Sequence, residues 1–191
     1  ASRKDEIKYA GVIRARIRQA VRDLYSLEHA PKPFDPKKPR VKYSGMVYDS
    51  AEIEAAVDSC LDFWITLGKS GLEFERQLAK TVGTKYALFC NSGSSANLVA
   101  VSALTSPQIG DRRLKPGDEV ITVACGFPTT VNPIVQNGLV PVFFDVSLET
   151  ANILVEQLEE AYVFGKTRAV MIAHTLGNPW DVKAVMGFCN R

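Results

Sequence analysis

Tyr86-Ala87-Leu88-Phe89-Cys90-Asn91-Ser92-Gly93-Ser94-Ser95-Ala96-Asn97-Leu98 is the stretch from which the rest of the chain is read. Residues 86–90 are apolar or aromatic, the pattern of a buried strand. Residues 91–95 are all small, so a ligand can come close to the backbone there. Residues 96–104 then run as a good helix. Unpaired N–H groups and the positive end of a helix dipole meet at such a turn, which suits a phosphate. The same residues also describe an ordinary strand–helix connection capped by serine, and local pattern leaves both readings open.

The segments around this unit alternate. Ser50 is the expected N-cap of a helix over residues 50–61, with Ile53, Ala56, Val57 and Cys60 on one face. An aromatic stretch, residues 63–71, ends in a glycine-flanked loop, and residues 72–82 read as a helix. Pro116-Gly117-Asp118 is a turn before a strand over 119–124. Residues 129–137 form a short predicted helix with Pro133 in its first turns, ended by Gly138. Strands are predicted over 139–146 and 168–174, and helices over 155–164 and 181–188. Strands alternating with helices predict an α/β fold, a mostly parallel sheet with flanking helices. Ligands in such sheets bind at the carboxyl ends of strands. The loops after Cys90, Ala124 and His174 lie at such ends, so Ser94, Phe127 and Asn178 are expected to line one site.

The N-terminal region reads as an appendage. Ala10, Ile13, Ile17, Ala20, Val21, Leu24 and Leu27 follow a helical spacing, surrounded by basic residues. Asp5, Glu6, Asp23 and Glu28 dilute that charge and the stripe holds no Trp or Phe. A helix packed on its own protein or on a subunit partner is expected rather than one lying on a membrane. Pro31, Pro33, Pro36 and Pro39 then forbid a helix and predict an extended arm. Residues 1–41 are thus expected to form helix and arm, and 42–191 the main domain.

Composition narrows the function classes. With 46% hydrophobic and 23% charged residues, the 191-residue chain can build a packed core. A net charge of +2 gives no bulk attraction for nucleic acid. No apolar run is long enough to span a membrane, and no signal peptide is visible, so a cytoplasmic location is expected. Cys60, Cys90, Cys125 and Cys189 are far apart and form no Cys-x-x-Cys pair, so reduced, buried thiols are expected and no metal site.

Read together, the loops carry a resemblance. Asn91-Ser92-Gly93-Ser94-Ser95-Ala96-Asn97-Leu98 comes first, then Pro116-Gly117-Asp118-Glu119-Val120-Ile121-Thr122, then Gly126-Phe127-Pro128-Thr129-Thr130-Val131-Asn132-Pro133. Phe143-Phe144-Asp145-Val146 and Met171-Ile172-Ala173-His174-Thr175-Leu176-Gly177-Asn178-Pro179 follow in order. This series resembles the sugar aminotransferase/dehydrase family that uses vitamin B6 phosphates (DegT/DnrJ/EryC/StrS type). The most similar branch dehydrates a CDP-linked 4-keto-6-deoxyhexose at carbon 3. The resemblance covers roughly Lys42 to Arg191, and the N-terminal helix and arm also suit that branch.

The resemblance implies a fold and a set of roles. The fold would be the aspartate aminotransferase-like large domain of PLP-dependent transferases, of which this chain carries the N-terminal part. Gly93, Ser94 and Ser95 would hold the phosphate of pyridoxal or pyridoxamine 5'-phosphate. Phe127 would lie against its pyridine ring, although core packing is an equally natural use of a Phe. Asn178 would belong to the cofactor site, while His174 reads as a hydrogen-bonded structural group. Trp64, Thr66, Gly68 and Lys69 match the family loop near the nucleotide sugar, with core packing the other reading for Trp64.

No catalytic residue is expected within this chain. The carboxylate that keeps the pyridine nitrogen protonated, and the base, Lys in aminotransferases or His in dehydrases, are expected beyond Arg191. The iron–sulfur cysteines of the dehydrase and the small C-terminal domain are expected further on, so this chain alone should not turn over. The implied reaction is loss of the sugar's carbon 3 hydroxyl as water, followed by electron delivery from a flavin/iron–sulfur reductase partner. Its product would feed 3,6-dideoxyhexoses of lipopolysaccharide O-antigen. A homodimer is the implied assembly. Two alternatives stay open: a nucleotide-sugar aminotransferase of the same fold, and a non-catalytic fragment or interaction subunit.

Overall fold

The computed structural model describes residues 2–37, 45 and 47–191. The chain forms two compact units, Ala1–Leu88 and Phe89–Arg191. The expected division between residues 41 and 42 falls outside the described residues.

The first unit is helical. α1 (Arg3–Leu24) begins at a reciprocal cap: the Ser2 hydroxyl accepts from the Asp5 N–H, and the Asp5 carboxylate accepts from the Ser2 N–H. It runs on into a π-helical turn at Tyr25–His29. Residues 31–37 then carry no helix, as their prolines require. α2 (Ser50–Cys60) is capped by Asp49 rather than by Ser50. The Asp49 carboxylate accepts from Ala51 N–H at 2.8 Å, and Glu52 accepts from Asp49 N–H at 2.9 Å. A charged acceptor one residue upstream, completed by a glutamate three residues on, outcompetes the serine. α3 (Lys69–Val82) starts a turn earlier than Leu72, with Gly68 as its N-cap. It stops at Gly83, whose φ of 73° is the left-handed conformation that glycine adopts without strain.

α1 and α2 are joined by a charge ladder. Arg14 meets Asp62 and Asp58, Arg18 meets Asp58, and Arg22 meets Glu54. Both sets are spaced by four, so each lies along one helix face. Opposite numbering along the ladder makes the two helices antiparallel.

The second unit is built on a three-stranded sheet in the order β2-β1-β3, with every pairing parallel. α4 (Gly93–Leu104) precedes β1 (Glu119–Val123); α5 (Pro128–Gln136) crosses to β2 (Val140–Phe144). α6 (Leu158–Ala161) leads to β3 (Thr167–Val170), and α7 (Val182–Cys189) follows. β1 is central, paired along both edges, and it is also covered on both faces. Val120 joins Val101, Leu114, Ile134 and Leu139, whereas Ile121 and Val123 join Phe144, Ile153, Leu158 and Val185. Alternate residues of one strand thus feed opposite cores. Each fully buried aliphatic side chain contributes about 1.5–3 kcal/mol.

Several expectations are corrected. Residues 86–90 join no sheet, and Tyr86 and Leu88 are 74% and 77% exposed. An apolar run supplies strand propensity, but a strand exists only where a neighbour pairs its backbone. Residues 155–164 are not one helix: a 3₁₀ turn, Val155–Gln157, precedes the single turn of α6. Tyr162 leaves it because Val163 N–H donates to the Thr167 hydroxyl at 3.0 Å, closing the turn that enters β3. β3 itself is shorter than expected, extended by one bond from Met171 N–H to the Ile121 carbonyl. The cysteines are not buried: Cys60, Cys125 and Cys189 are exposed and Cys90 is half-buried. Cys60 and Cys189 end helices and Cys125 sits in a loop, where apolar sequence neighbours do not enclose a side chain.

Candidate functional site

In the second unit, the small-residue turn opens α4. Ser92 is the N-cap: its hydroxyl accepts from Ser95 N–H at 3.2 Å, and its carbonyl accepts from Ala96 N–H. Gly93, Ser94 and Ser95 make up the first turn of a twelve-residue helix. A Cβ added at Gly93 would meet nothing within 4 Å, so the approach to its backbone is open. Helix-end N–H groups, serine hydroxyls and the dipole form a donor set that fits a phosphate.

Phe127 opens α5, the helix that packs beside α4. It is the N-cap of α5, 70% exposed, with Pro128 fixing the first helical residue. Asn97, within the second turn of α4, donates through Nδ2 to the Thr129 carbonyl at 3.1 Å. That bond ties the starts of α4 and α5. Between them lies a cleft of about 190 Å³ lined by Ser94, Ser95, Leu98, Thr129, Asn132 and Gln136. The exposure of Phe127 leaves its ring available to a ligand.

Asn178 is built into the backbone. Its side chain donates to the Thr150 carbonyl at 3.1 Å, and its own carbonyl accepts from Asn152 Nδ2 at 3.1 Å. The loops after β2 and β3, both on the carboxyl edge of a parallel sheet, are joined by this pair. His174 is held by stacking on Trp180, ring centroids 4.9 Å apart, and its Nδ1 accepts from Trp180 N–H at 3.3 Å.

The remaining candidates lie in the first unit. Trp64, Gly68 and Lys69 line an open cleft of about 530 Å³, together with Arg14, Asp62 and Leu72; Thr66 does not line it. The Trp64 indole donates to the Leu67 carbonyl at 3.2 Å, so this loop folds on itself. Lys69 is 95% exposed, with its ammonium 4.0 Å from the Asp62 carboxylate. Asp58 lies below its usual acidity range, through the hydrogen bond from Arg18. Among the described residues no cluster of His, Cys, Asp or Glu could hold a metal ion. No helix among them is long and apolar enough to cross a membrane.

Sequence reading missed Arg14, Asp62, Asn97 and Asn152. The four-residue spacing of Arg14, Arg18 and Arg22 against that of Glu54, Asp58 and Asp62 was the available signal for the first two. Asn97 and Asn152 left none, because each bonds a backbone carbonyl remote in sequence.

Comparison with known proteins converges on one group. Residues 47–191 match the model of the DegT/DnrJ/EryC1/StrS aminotransferase family. The chain is 48% identical to lipopolysaccharide biosynthesis protein RfbH of Salmonella typhimurium, over 92% of this chain and 40% of that protein. It is 48% identical to dTDP-4-dehydro-2,6-dideoxy-D-glucose 3-dehydratase of Saccharopolyspora spinosa, over 86% of this chain and 35% of that protein. A solved structure of Escherichia coli GDP-4-keto-6-deoxy-D-mannose-3-dehydratase with bound hydrated PLP superposes with a TM-score of 0.70 at 35% identity. That match covers 79% of this chain and 38% of the other. The chain therefore spans about two fifths or less of the length of these relatives.

Proposed function

This chain belongs to the DegT/DnrJ/EryC1/StrS aminotransferase family, and we propose that it is the N-terminal part of a PMP-dependent 3-dehydratase. Its substrate is a CDP-linked 4-keto-6-deoxyhexose, and its product serves 3,6-dideoxyhexose and O-antigen synthesis. One observation carries the reading. The matches to RfbH, over 176 residues, and to the Saccharopolyspora spinosa dTDP-linked 3-dehydratase, over 165, are both longer than the family stretch 47–191 and so take in part of the N-terminal region. The match to the Escherichia coli GDP-linked enzyme extends over only 133 residues.

The bound cofactor would supply an amine and an electron-accepting ring. This chain's residues bind and orient. The Gly93, Ser94 and Ser95 turn holds the phosphate with N–H groups and hydroxyls. Phe127 restrains the ring plane through its exposed face. Asn178 keeps the two strand-end loops of the cofactor site at a fixed separation. In the other unit Trp64, Thr66, Gly68 and Lys69 hold the nucleotide sugar. An aromatic face and an exposed ammonium suit a base and a diphosphate. The groups that move protons belong to the remainder of the enzyme. The same reading carries a homodimer, a flavin/iron–sulfur reductase partner, an iron–sulfur cluster in that remainder, and a cytoplasmic location.

The test uses the gene read through to the length of its relatives. The protein is loaded with PMP and offered CDP-, GDP- and dTDP-linked 4-keto-6-deoxyhexoses. Loss of the carbon 3 hydroxyl from the CDP sugar, preferred by about tenfold or more, is the expected result. Preference for GDP or dTDP removes the CDP assignment. Glutamate-dependent amination at carbon 4 makes the protein an aminotransferase instead.

A further inference from the structure

The Trp64-to-Lys69 loop hangs from a turn that its own backbone holds only in part. α2 ends at Cys60; the carbonyls of Val57, Ser59 and Cys60 accept from the N–H groups of Leu61, Asp62 and Phe63, while those of Asp58 and Leu61 accept from a side chain of α1. Three residues after Cys60, Phe63 takes φ 53°, a conformation unfavourable for an aromatic residue with a Cβ. Tertiary contacts must hold such a turn.

Arg14 of α1 supplies such contacts. Arg14 Nη1 donates to the Asp58 carbonyl at 3.1 Å, and Nη2 donates to the Leu61 carbonyl at 2.8 Å and to Asp62 Oδ1 at 2.8 Å. The other carboxylate oxygen of Asp62 lies 4.0 Å from the Lys69 ammonium. Lys69 opens α3, where the helix dipole disfavours a cation and a nearby carboxylate offsets that cost. Asp62 and Lys69 thus close the loop at its base, and Arg14 fastens that base to α1. The neighbouring arginines differ. Arg18 and Arg22 reach the carboxylates of Asp58 and Glu54 in the body of α2. Each binds helix to helix; Arg14 binds the exit of the helix.

We infer that Arg14 is a positioning residue for the substrate loop: its guanidinium fork fixes the exit of α2 and Asp62, and so sets where Trp64, Gly68 and Lys69 stand. This rests on the proposal that the loop holds the nucleotide sugar. A fork of rigid, separately directed donors is required, which a lysine does not supply.

Hydrogen–deuterium exchange of residues 61–72 in the whole chain tests it, with CDP binding measured alongside. Arg14→Ala and Arg14→Lys are each expected to speed exchange there by about tenfold or more. Arg22→Ala removes a rung at the far end of the ladder and should change it by less than about twofold. CDP affinity should fall about fivefold or more in both Arg14 variants and stay at the wild-type value in Arg22→Ala. Equal loosening by Arg22→Ala, or unchanged exchange in Arg14→Ala, overturns the inference, as does wild-type behaviour of Arg14→Lys. If the wild-type chain binds none of CDP, GDP and dTDP, the substrate-loop reading fails, and the exchange rates still decide whether Arg14 holds the loop.

Discussion

Asn97 Nδ2 donates to the Thr129 carbonyl across 3.1 Å, joining the helix that begins at the serine turn to the helix that begins at Phe127. The proposed phosphate donors and ring contact are thereby tied together through one partly buried amide. Asn97→Ala should cost about 1 kcal/mol in urea unfolding of the chain. PLP affinity should fall with it, because the turn and Phe127 no longer share a frame. A variant with unchanged stability and unchanged PLP binding would show the bond to be dispensable.

Phe127→Ala separates two uses of one ring. The side chain is 70% exposed, so its loss should change stability by less than about 0.5 kcal/mol. Cofactor retention should drop, read as loss of the bound cofactor's absorbance after gel filtration of the full-length enzyme. A large loss of stability would instead make Phe127 a packing residue.

Asn152 is only 6% exposed and gives its amide to the Asn178 carbonyl. Asn152→Asp replaces that donor with a carboxylate oxygen facing the same carbonyl. The expected cost is about 2–3 kcal/mol at pH 7, measured by thermal or urea unfolding. Asn152→Ala, which loses the bond without adding a charge, should cost less.

Glu73 accepts from Arg76 and from Gln77, and these hold its carboxyl at about 2, Arg76 contributing most. A depressed folded-state value stabilises the fold above the ordinary glutamate range near 4.5, and the contribution is lost as pH falls toward about 2. Its size is small because the pair is on the surface. A carbon-13 NMR titration of the Glu73 carboxyl should place its midpoint well below that of free glutamate. Arg76→Ala should raise it toward the ordinary value.

Much of the architecture was legible from residues 93–144. The short apolar run of β1, the turn before it, and Gly138 after α5 are local signals, read from neighbours a few residues apart. Element ends were less legible. Asp49 displaced Ser50 as cap because two good caps stood side by side. Tyr162 left its helix because of a hydroxyl five residues on, which no helical periodicity registers.

The sequence by itself determined the alternation of strand and helix, the small-residue turn at the head of α4, and the aromatic residue opening α5. Each follows from conformational preferences that neighbours impose on one another over a few residues. Only the tertiary structure decided that residues 86–90 form no ladder, that Asn178 ties one loop to another, and that Arg14 among three similar arginines holds the exit of α2. Those outcomes depend on which distant backbone groups come within hydrogen-bonding distance, and that is set by how the elements pack.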